Sequence, residues 1–225
     1  AVRTAVPEPA VTPRSLSACV WSFAARPAGP ALSHHNVFFG DDPRTEFGPV
    51  DRGRLPEDPT LYVCAQDRGA GAAPEGAERF EIIMNAPPGL PDTDKERETC
   101  RIRTFERLAG FGLTFEPEPA PAALTTPADF DRLFPASRGS LYGRSPHGLM
   151  APFRRPAARS AVPGLYLAGG GTHPGPGVPM ATLSGRHAAA AILTDRTSTS
   201  TSRRTATPGG TSTGSPTTAG GRSRS

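Results

Sequence analysis

A glycine-rich loop near residue 170 has the composition and spacing most suited to chemistry in this sequence. Three consecutive glycines follow the apolar stretch LYLA (165–168), and THPGPGVP then leads into a segment of small residues at helical spacing. Glycine lets a backbone approach a ligand closely, and the free N–H groups of a helix's first turn favour a phosphate or an electron-rich ring. The spacing matches neither GxGxxG nor GxxxxGK[ST]. Two interpretations stay open: a ligand against the loop, or a glycine turn that packs the helix on the strand.

The other reactive side chains do not form a recognisable site. His34 and His35 are adjacent on a predicted strand, so we expect them to point to opposite faces, one buried and one exposed, and to bind no metal. A role in placing a substrate or cofactor stays open for them. Ser, His and Asp occur without a GxSxG elbow. Cys19, Cys64 and Cys100 are scattered without a CxxC pair, which supports neither a zinc site nor a disulfide framework and favours a reducing compartment.

The elements that must position the loop follow from hydrophobic periodicity and turn signals. Alternating or buried apolar runs predict strands at 16–24, 34–40, 61–66, 80–85 and 164–168. A helix is predicted from Asp92 or Thr93 to about Leu108, a short one after the cap Thr126 through Phe134, and a last one over 178–194. The fold class is therefore α/β or α+β, with a mixed sheet and a final strand, glycine loop and helix.

The net charge of +4 does not indicate a nucleic-acid protein. The segment 197–225 holds four arginines and no acid, which leaves 21 basic and 21 acidic residues in the body of the chain. A specific nucleic-acid protein carries its basic footprint on its folded part. The segment is rich in Ser, Thr, Gly and Pro, so we expect it to be disordered.

The loop and its surroundings resemble the C-terminal flavin-binding motif of bacterial-type carotenoid desaturases, the phytoene desaturase family. The motif G-T-H-P-G-x-G-x-P is complete at 171–179, and GSLYG (139–143) and FRRP (153–156) precede it. Further upstream, HHNVFFGDD (34–42), LYVCAQDRG (61–69) and IIMNAPP (82–88) are similar to the hydroxycarotenoid 3,4-desaturase branch, the methoxyneurosporene desaturase type. The resemblance covers about residues 15–194 and implies the C-terminal half of an amine-oxidase-like fold.

The resemblance implies an oxidoreductase in which FAD accepts a hydride from a carotenoid while a proton leaves, most directly in the 3,4-desaturation of a 1-hydroxycarotenoid. Because that substrate is apolar and dissolves in the bilayer, we expect a cytoplasmic enzyme peripheral to the membrane surface. No catalytic side chain, substrate-binding residue or metal ligand is assigned. His173 either shapes the junction of flavin and substrate or packs the turn. The expected cofactor-binding residues are Ala168, Gly169, Gly170, Gly171, Thr172, His173, Pro174, Gly175, Gly177, Val178, Pro179 and Met180.

Two departures from the family pattern bear on these expectations. Gly170 stands where many flavoproteins place an acid for the ribityl hydroxyls. The family's N-terminal dinucleotide-binding domain, with its GxGxxG motif, has no counterpart in this sequence, so we expect a C-terminal portion of a longer enzyme. The expected organisation is an irregular start (1–14), a portion of the substrate domain (15–160), the last strand, loop and helix of the FAD-binding domain (161–196), and the tail (197–225). Alternatives are a truncated non-catalytic remnant, a phytoene desaturase, or a related flavin oxidoreductase acting on another apolar lipid.

Overall fold

One antiparallel sheet dominates the computed structural model, which describes residues 5–69 and 74–204. Its strands are β1 (Ser17–Ala28), β2 (His35–Phe38), β3 (Leu61–Ala65), β4 (Glu78–Ala86), β5 (Thr114–Glu116) and β6 (Leu124–Thr125). The spatial order is β2-β3-β4-β1-β5, and β6 also pairs with β1. The predicted α/β or α+β class is confirmed. Within the described residues every named strand pair is antiparallel, so the parallel pairs of a mixed sheet do not occur among them.

The two faces of the sheet differ in what covers them. On one face, Cys19 and Trp21 of β1, Val63 of β3 and Ile82 of β4 belong to the buried core. The alternating residues of the same strands form the opposite face, which we call the open face, because paired residues in an antiparallel sheet point to the same side. The open face carries Val20, Tyr62, Cys64, Ile83 and Asn85, all only partly buried.

Four helices lie in the described part of the chain: α1 (Pro43–Asp51), α2 (Asp94–Gly110), α3 (Pro127–Leu133) and α4 (Val178–Arg204). Helix α2 packs on the core face, where the rings of Phe105 and Trp21 meet edge to face at 5.0 Å. The predicted caps are confirmed: the Thr93 hydroxyl accepts a hydrogen bond from the Glu96 N–H, and Thr126 forms a capping box with Asp129. None of the described helices has the length and hydropathy required to cross a bilayer.

Three sequence predictions need correction. Residues 164–168 do not form a strand, since only an isolated bridge joins Tyr166 to Arg159. No other described segment pairs with this stretch. Strand β2 is not buried, because it is the edge strand and its side chains alternate between exposed and half-buried. The last helix runs to Arg204, well past Thr194, so 197–204 is helical rather than disordered. That stretch has no Gly or Pro to stop the helix, while 205–225 lies outside the described residues.

Candidate functional site

The glycine loop is an ordered connection that ends at the first turn of α4, where the sequence predicted it. Gly169, Gly175 and Gly177 adopt φ angles of 121°, 147° and 95°, a region in which a side chain is strained. The Gly169 N–H donates to the hydroxyl of Ser184 at 2.7 Å, and Ser184 is fully buried on α4. The loop is therefore folded back on the helix that follows it.

The middle of the loop is glycine for a different reason. Gly170 and Gly171 do not have positive φ angles. A Cβ added at Gly171 would meet no atom within 4 Å, and one added at Gly170 would make only an ordinary contact with Pro176. The fold of the described residues does not require glycine at Gly171, and we call the bare backbone there, which faces open space, the glycine cradle.

A buried arginine that the sequence did not single out fixes this cradle. Arg155 is 5% exposed, and its guanidinium donates to the carbonyls of Gly170 at 3.1 Å, Tyr142 at 2.8 Å and Arg144 at 2.6 Å. No carboxylate among the described residues pairs with it. Burial, and secondarily the charge of Arg144, lower the pKa of Arg155 below its ordinary value. The guanidinium stays charged because arginine titrates far above neutral pH, so it places an uncompensated positive charge directly behind the loop.

The arginine also joins two motifs that are distant in sequence. Gly143, the last residue of GSLYG, packs so closely on the loop that an added Cβ would lie 3.1 Å from the Gly171 Cα. Residues 13–16 run beside the same motif through backbone hydrogen bonds between Ser15 and Gly143 and between Leu16 and Leu141. GSLYG is thus held between the start of β1 and the glycine loop.

The other residues predicted for the loop have mixed surroundings. Thr172 is buried. The His173 Nδ1 lies 3.0 Å from the Pro152 carbonyl oxygen, and its ring stacks near those of Phe153 and His187, so its side chain packs in the turn; a role at the flavin stays a prediction. Ala168 is exposed just before the loop and Pro174 is half-buried within it, while Val178, Pro179 and Met180 expose side chains at the start of α4.

A largely apolar cavity of about 550 Å³ lies on the open face of the sheet, on the other side of GSLYG. Its walls come from residues 13–16, β1, β4, α1 and the 141–147 loop. Tyr142 lines this cavity, and its carbonyl is one of the three that Arg155 holds. The cavity and the glycine cradle are therefore neighbours that share one loop. The apolar part of the lining includes Ala18, Val20, Phe47, Ile83 and Leu141.

The paired histidines do not point to opposite faces as predicted. His34 precedes β2 in a bend, so its ring turns to the open face and lies 4.3 Å from the ring of His35. Cys64 of β3 adds its Sγ 3.8 Å from the His34 Nε2, and ligand atoms of these three residues lie within 4.8 Å of one another. Local spacing in the sequence offers no third ligand-type residue, and the one that the structure supplies comes from the neighbouring strand. That the group holds no metal stays a prediction.

Comparison with known proteins assigns this arrangement to a family. The model of the flavin containing amine oxidoreductases matches residues 47–193, which include β3, β4, Arg155 and the glycine loop. The chain belongs to the flavin containing amine oxidoreductase family. The resemblance to carotenoid desaturases is confirmed by relatives. The chain is 64% identical over 196 residues to a hydroxyneurosporene desaturase of Cereibacter sphaeroides, covering 87% of this chain and 40% of the relative.

Two further relatives support the same assignment. A hydroxyneurosporene desaturase of Rhodobacter capsulatus is 60% identical over 184 residues, covering 82% of this chain and 37% of its own length. A zeta-carotene-forming phytoene desaturase of Myxococcus xanthus is 34% identical over 171 residues, covering 73% of this chain and 33% of its own length. The chain thus spans about two fifths of the curated hydroxyneurosporene desaturases that it matches.

The residues of this member of the flavin containing amine oxidoreductase family fit a flavin, the cofactor that the family name gives. Gly171 offers an open backbone cradle, the first turn of α4 offers free N–H groups, and Arg155 adds an unpaired positive charge beside them. All three favour an electron-rich ring system with anionic character. Sequence reasoning found the loop from its glycines but missed Arg155, since FRRP contains two arginines and nothing local distinguishes the buried one.

Proposed function

We propose that this chain forms part of an FAD-dependent carotenoid desaturase, and that the reaction is the 3,4-desaturation of a 1-hydroxycarotenoid. The observation that carries the proposal is the shared GSLYG loop, which joins a glycine cradle for a flavin to an apolar cavity for the substrate. The relatives, which are hydroxyneurosporene desaturases, supply the substrate class.

When bound, the flavin supplies a two-electron acceptor: a hydride leaves one carbon of the polyene, a proton leaves the neighbouring carbon, and a double bond forms between them. The residues of this chain bind and orient. The backbone from Gly169 to Gly177 and the N–H groups of Val178 and Met180 hold the cofactor, and Arg155 keeps the loop at a fixed distance from Tyr142. The apolar cavity excludes water, which keeps the polyene away from competing reactions.

Three further features belong to the same proposal. The other end of FAD binds to a dinucleotide-binding domain that shares a polypeptide or complex with this chain. The enzyme works in the cytoplasm at the membrane surface, where its substrate is dissolved. Leu149, Met150 and Phe153 support this, because they expose apolar side chains, Leu149 is 92% exposed, and the ring of Phe153 lies beside that of His173 in the glycine loop.

The test uses the complete gene product that carries this chain, purified and loaded with FAD. Incubated anaerobically with a 1-hydroxylated carotenoid, it should convert the substrate to a product with one more conjugated double bond, seen as a red-shifted absorbance, and bleach the flavin in single turnover. Bound flavin together with an unchanged carotenoid spectrum would contradict the proposed reaction.

A further inference from the structure

A buried polar pair lies at a wall of the cavity, whose lining is largely apolar but also includes Arg14, Asp51 and His147. Asn85, near the end of β4, lines the cavity, and its Nδ2 donates to the Oε1 of Glu46 at 2.9 Å. Glu46 is 3% exposed and lies on α1, directly before Phe47, which also lines the cavity. The pair therefore sits at one wall of the space that the proposed function assigns to the substrate.

The carboxylate of this pair has no counter-charge. Within the described residues no arginine, lysine or histidine forms an ion pair with Glu46, whereas Glu78, which is equally buried, is paired with Arg68. A buried carboxylate without a cation is costly, and packing alone is served as well or better by an apolar side chain. Asp51, the acid that lines the cavity itself, differs from Glu46 because it is exposed and water can solvate it.

The amide of Asn85 has unused hydrogen-bonding capacity. A primary amide carries two N–H donors and an acceptor oxygen, and the bond to Glu46 uses one donor. No other hydrogen bond involves this amide within the described residues. An alcohol both donates and accepts, so one hydroxyl group can satisfy the free N–H and the oxygen together. A hydrocarbon end group can satisfy neither.

We propose that Asn85, oriented by Glu46, binds the hydroxyl group at the end of the polyene substrate and makes the enzyme select hydroxylated over unhydroxylated carotenoids. This inference rests on the proposed function. A site built to hydrogen-bond a substrate hydroxyl discriminates strongly against an analogue that lacks it, because the polar groups of the site are then left unpaired. The subsite also fixes the register of the polyene, since one end is held while the rest of the chain is free to slide in an apolar cavity.

The experiment measures kcat/KM of the flavin-loaded complete gene product for two polyenes of equal length, with and without the terminal hydroxyl. Asn85→Leu should lower the preference for the hydroxylated polyene by about ten-fold or more, through loss on that substrate alone. Glu46→Gln keeps the shape and an acceptor for Asn85, so it should lower the preference by a smaller factor. Glu81→Gln is the matched control: Glu81 lies on the same strand and face but outside the cavity lining, and the preference should not change.

Each outcome bears on the proposal. An equal loss on both polyenes, with flavin content unchanged, would overturn the hydroxyl role and leave Asn85 a structural residue. Equal rates for both polyenes in the wild type would overturn the subsite while desaturation itself stands. Absence of desaturation of either polyene by flavin-loaded wild type would instead overturn the proposed function. If Asn85→Leu loses flavin, the test rests on Glu46→Gln. An unchanged preference for the hydroxylated polyene in that variant would overturn the proposal.

Discussion

Replacement of Arg155 by methionine should detach the glycine loop from GSLYG. Methionine keeps an unbranched apolar side chain but removes the guanidinium, which leaves the carbonyls of Gly170, Tyr142 and Arg144 without their donor. Each buried carbonyl that loses its partner costs about 1–3 kcal/mol. Removal of an unpaired buried cation, which lies beside Arg144, returns a few kcal/mol in the opposite direction.

The loss of hydrogen bonds to three carbonyls and the removal of one buried cation change the stability in opposite directions. Three orphaned carbonyls outweigh one relieved cation, and we expect the free energy of unfolding to fall by about 2–4 kcal/mol. The flavin affinity should fall further, by about ten-fold or more, because the cradle loses both its fixed position and a nearby positive charge. Arg155→Lys should recover part of the affinity, since it keeps the charge but cannot reach three carbonyls at once.

The assay is a denaturant titration and a fluorescence titration with FAD, both on the complete gene product. Arg154→Met is the matched control, because Arg154 is the adjacent arginine and is exposed; its stability should stay within about 0.5 kcal/mol of wild type. If Arg155→Met behaved like Arg154→Met in both titrations, the role given to the buried guanidinium would be refuted.

Further variants test two contacts that stabilise the fold, the ion pair of Glu78 with Arg68 and the helix cap at Thr126. Glu78→Gln should lower the free energy of unfolding by about 3 kcal/mol, because it leaves the half-buried Arg68 without the carboxylate that neutralises it, and a denaturation midpoint equal to wild type would show that water solvates the pair. Thr126→Val should cost about 1 kcal/mol through loss of the helix cap. Burial alone would raise the pKa of Asp129 in that capping box, but hydrogen bonds from Thr126 and the charges of Arg132 and Arg97 lower it. Its stabilising effect should therefore be present at neutral pH and be lost as the pH falls below about 4, and an acid transition of equal size in Asp129→Asn would argue against this.

The features that the sequence predicts well are those whose signals are local. Thr93 and Thr126 predict the starts of their helices because an N-cap residue and the N–H groups that it satisfies lie within four residues of each other. The strands β1, β3 and β4 follow from alternation, which persists whichever strand becomes the neighbour. The glycine loop was found in the same way, from composition at a single place.

The features that the sequence misses depend on distant contacts. The stretch 164–168 has the composition of a strand, but a strand needs a partner, and only the bridge to Arg159 is present among the described residues. His34 turns to the same face as His35 because of a bend that alternation does not register. Glu46 and Asn85 are 39 residues apart, and only the packing of α1 beside the open face makes them a pair.

The central claim is that a flavin lies against the backbone at Gly171, and the most direct test is the FAD dissociation constant of Gly171→Ala in the complete gene product. Gly171 needs no positive φ, and its added Cβ would point into open space, so flavin-free protein should keep its melting temperature. Gly110→Ala is the control, since Gly110 at the end of α2 has the same two properties away from the loop. We predict that Gly171→Ala weakens FAD binding about ten-fold or more while Gly110→Ala leaves it unchanged. Wild-type affinity in Gly171→Ala would contradict the claim.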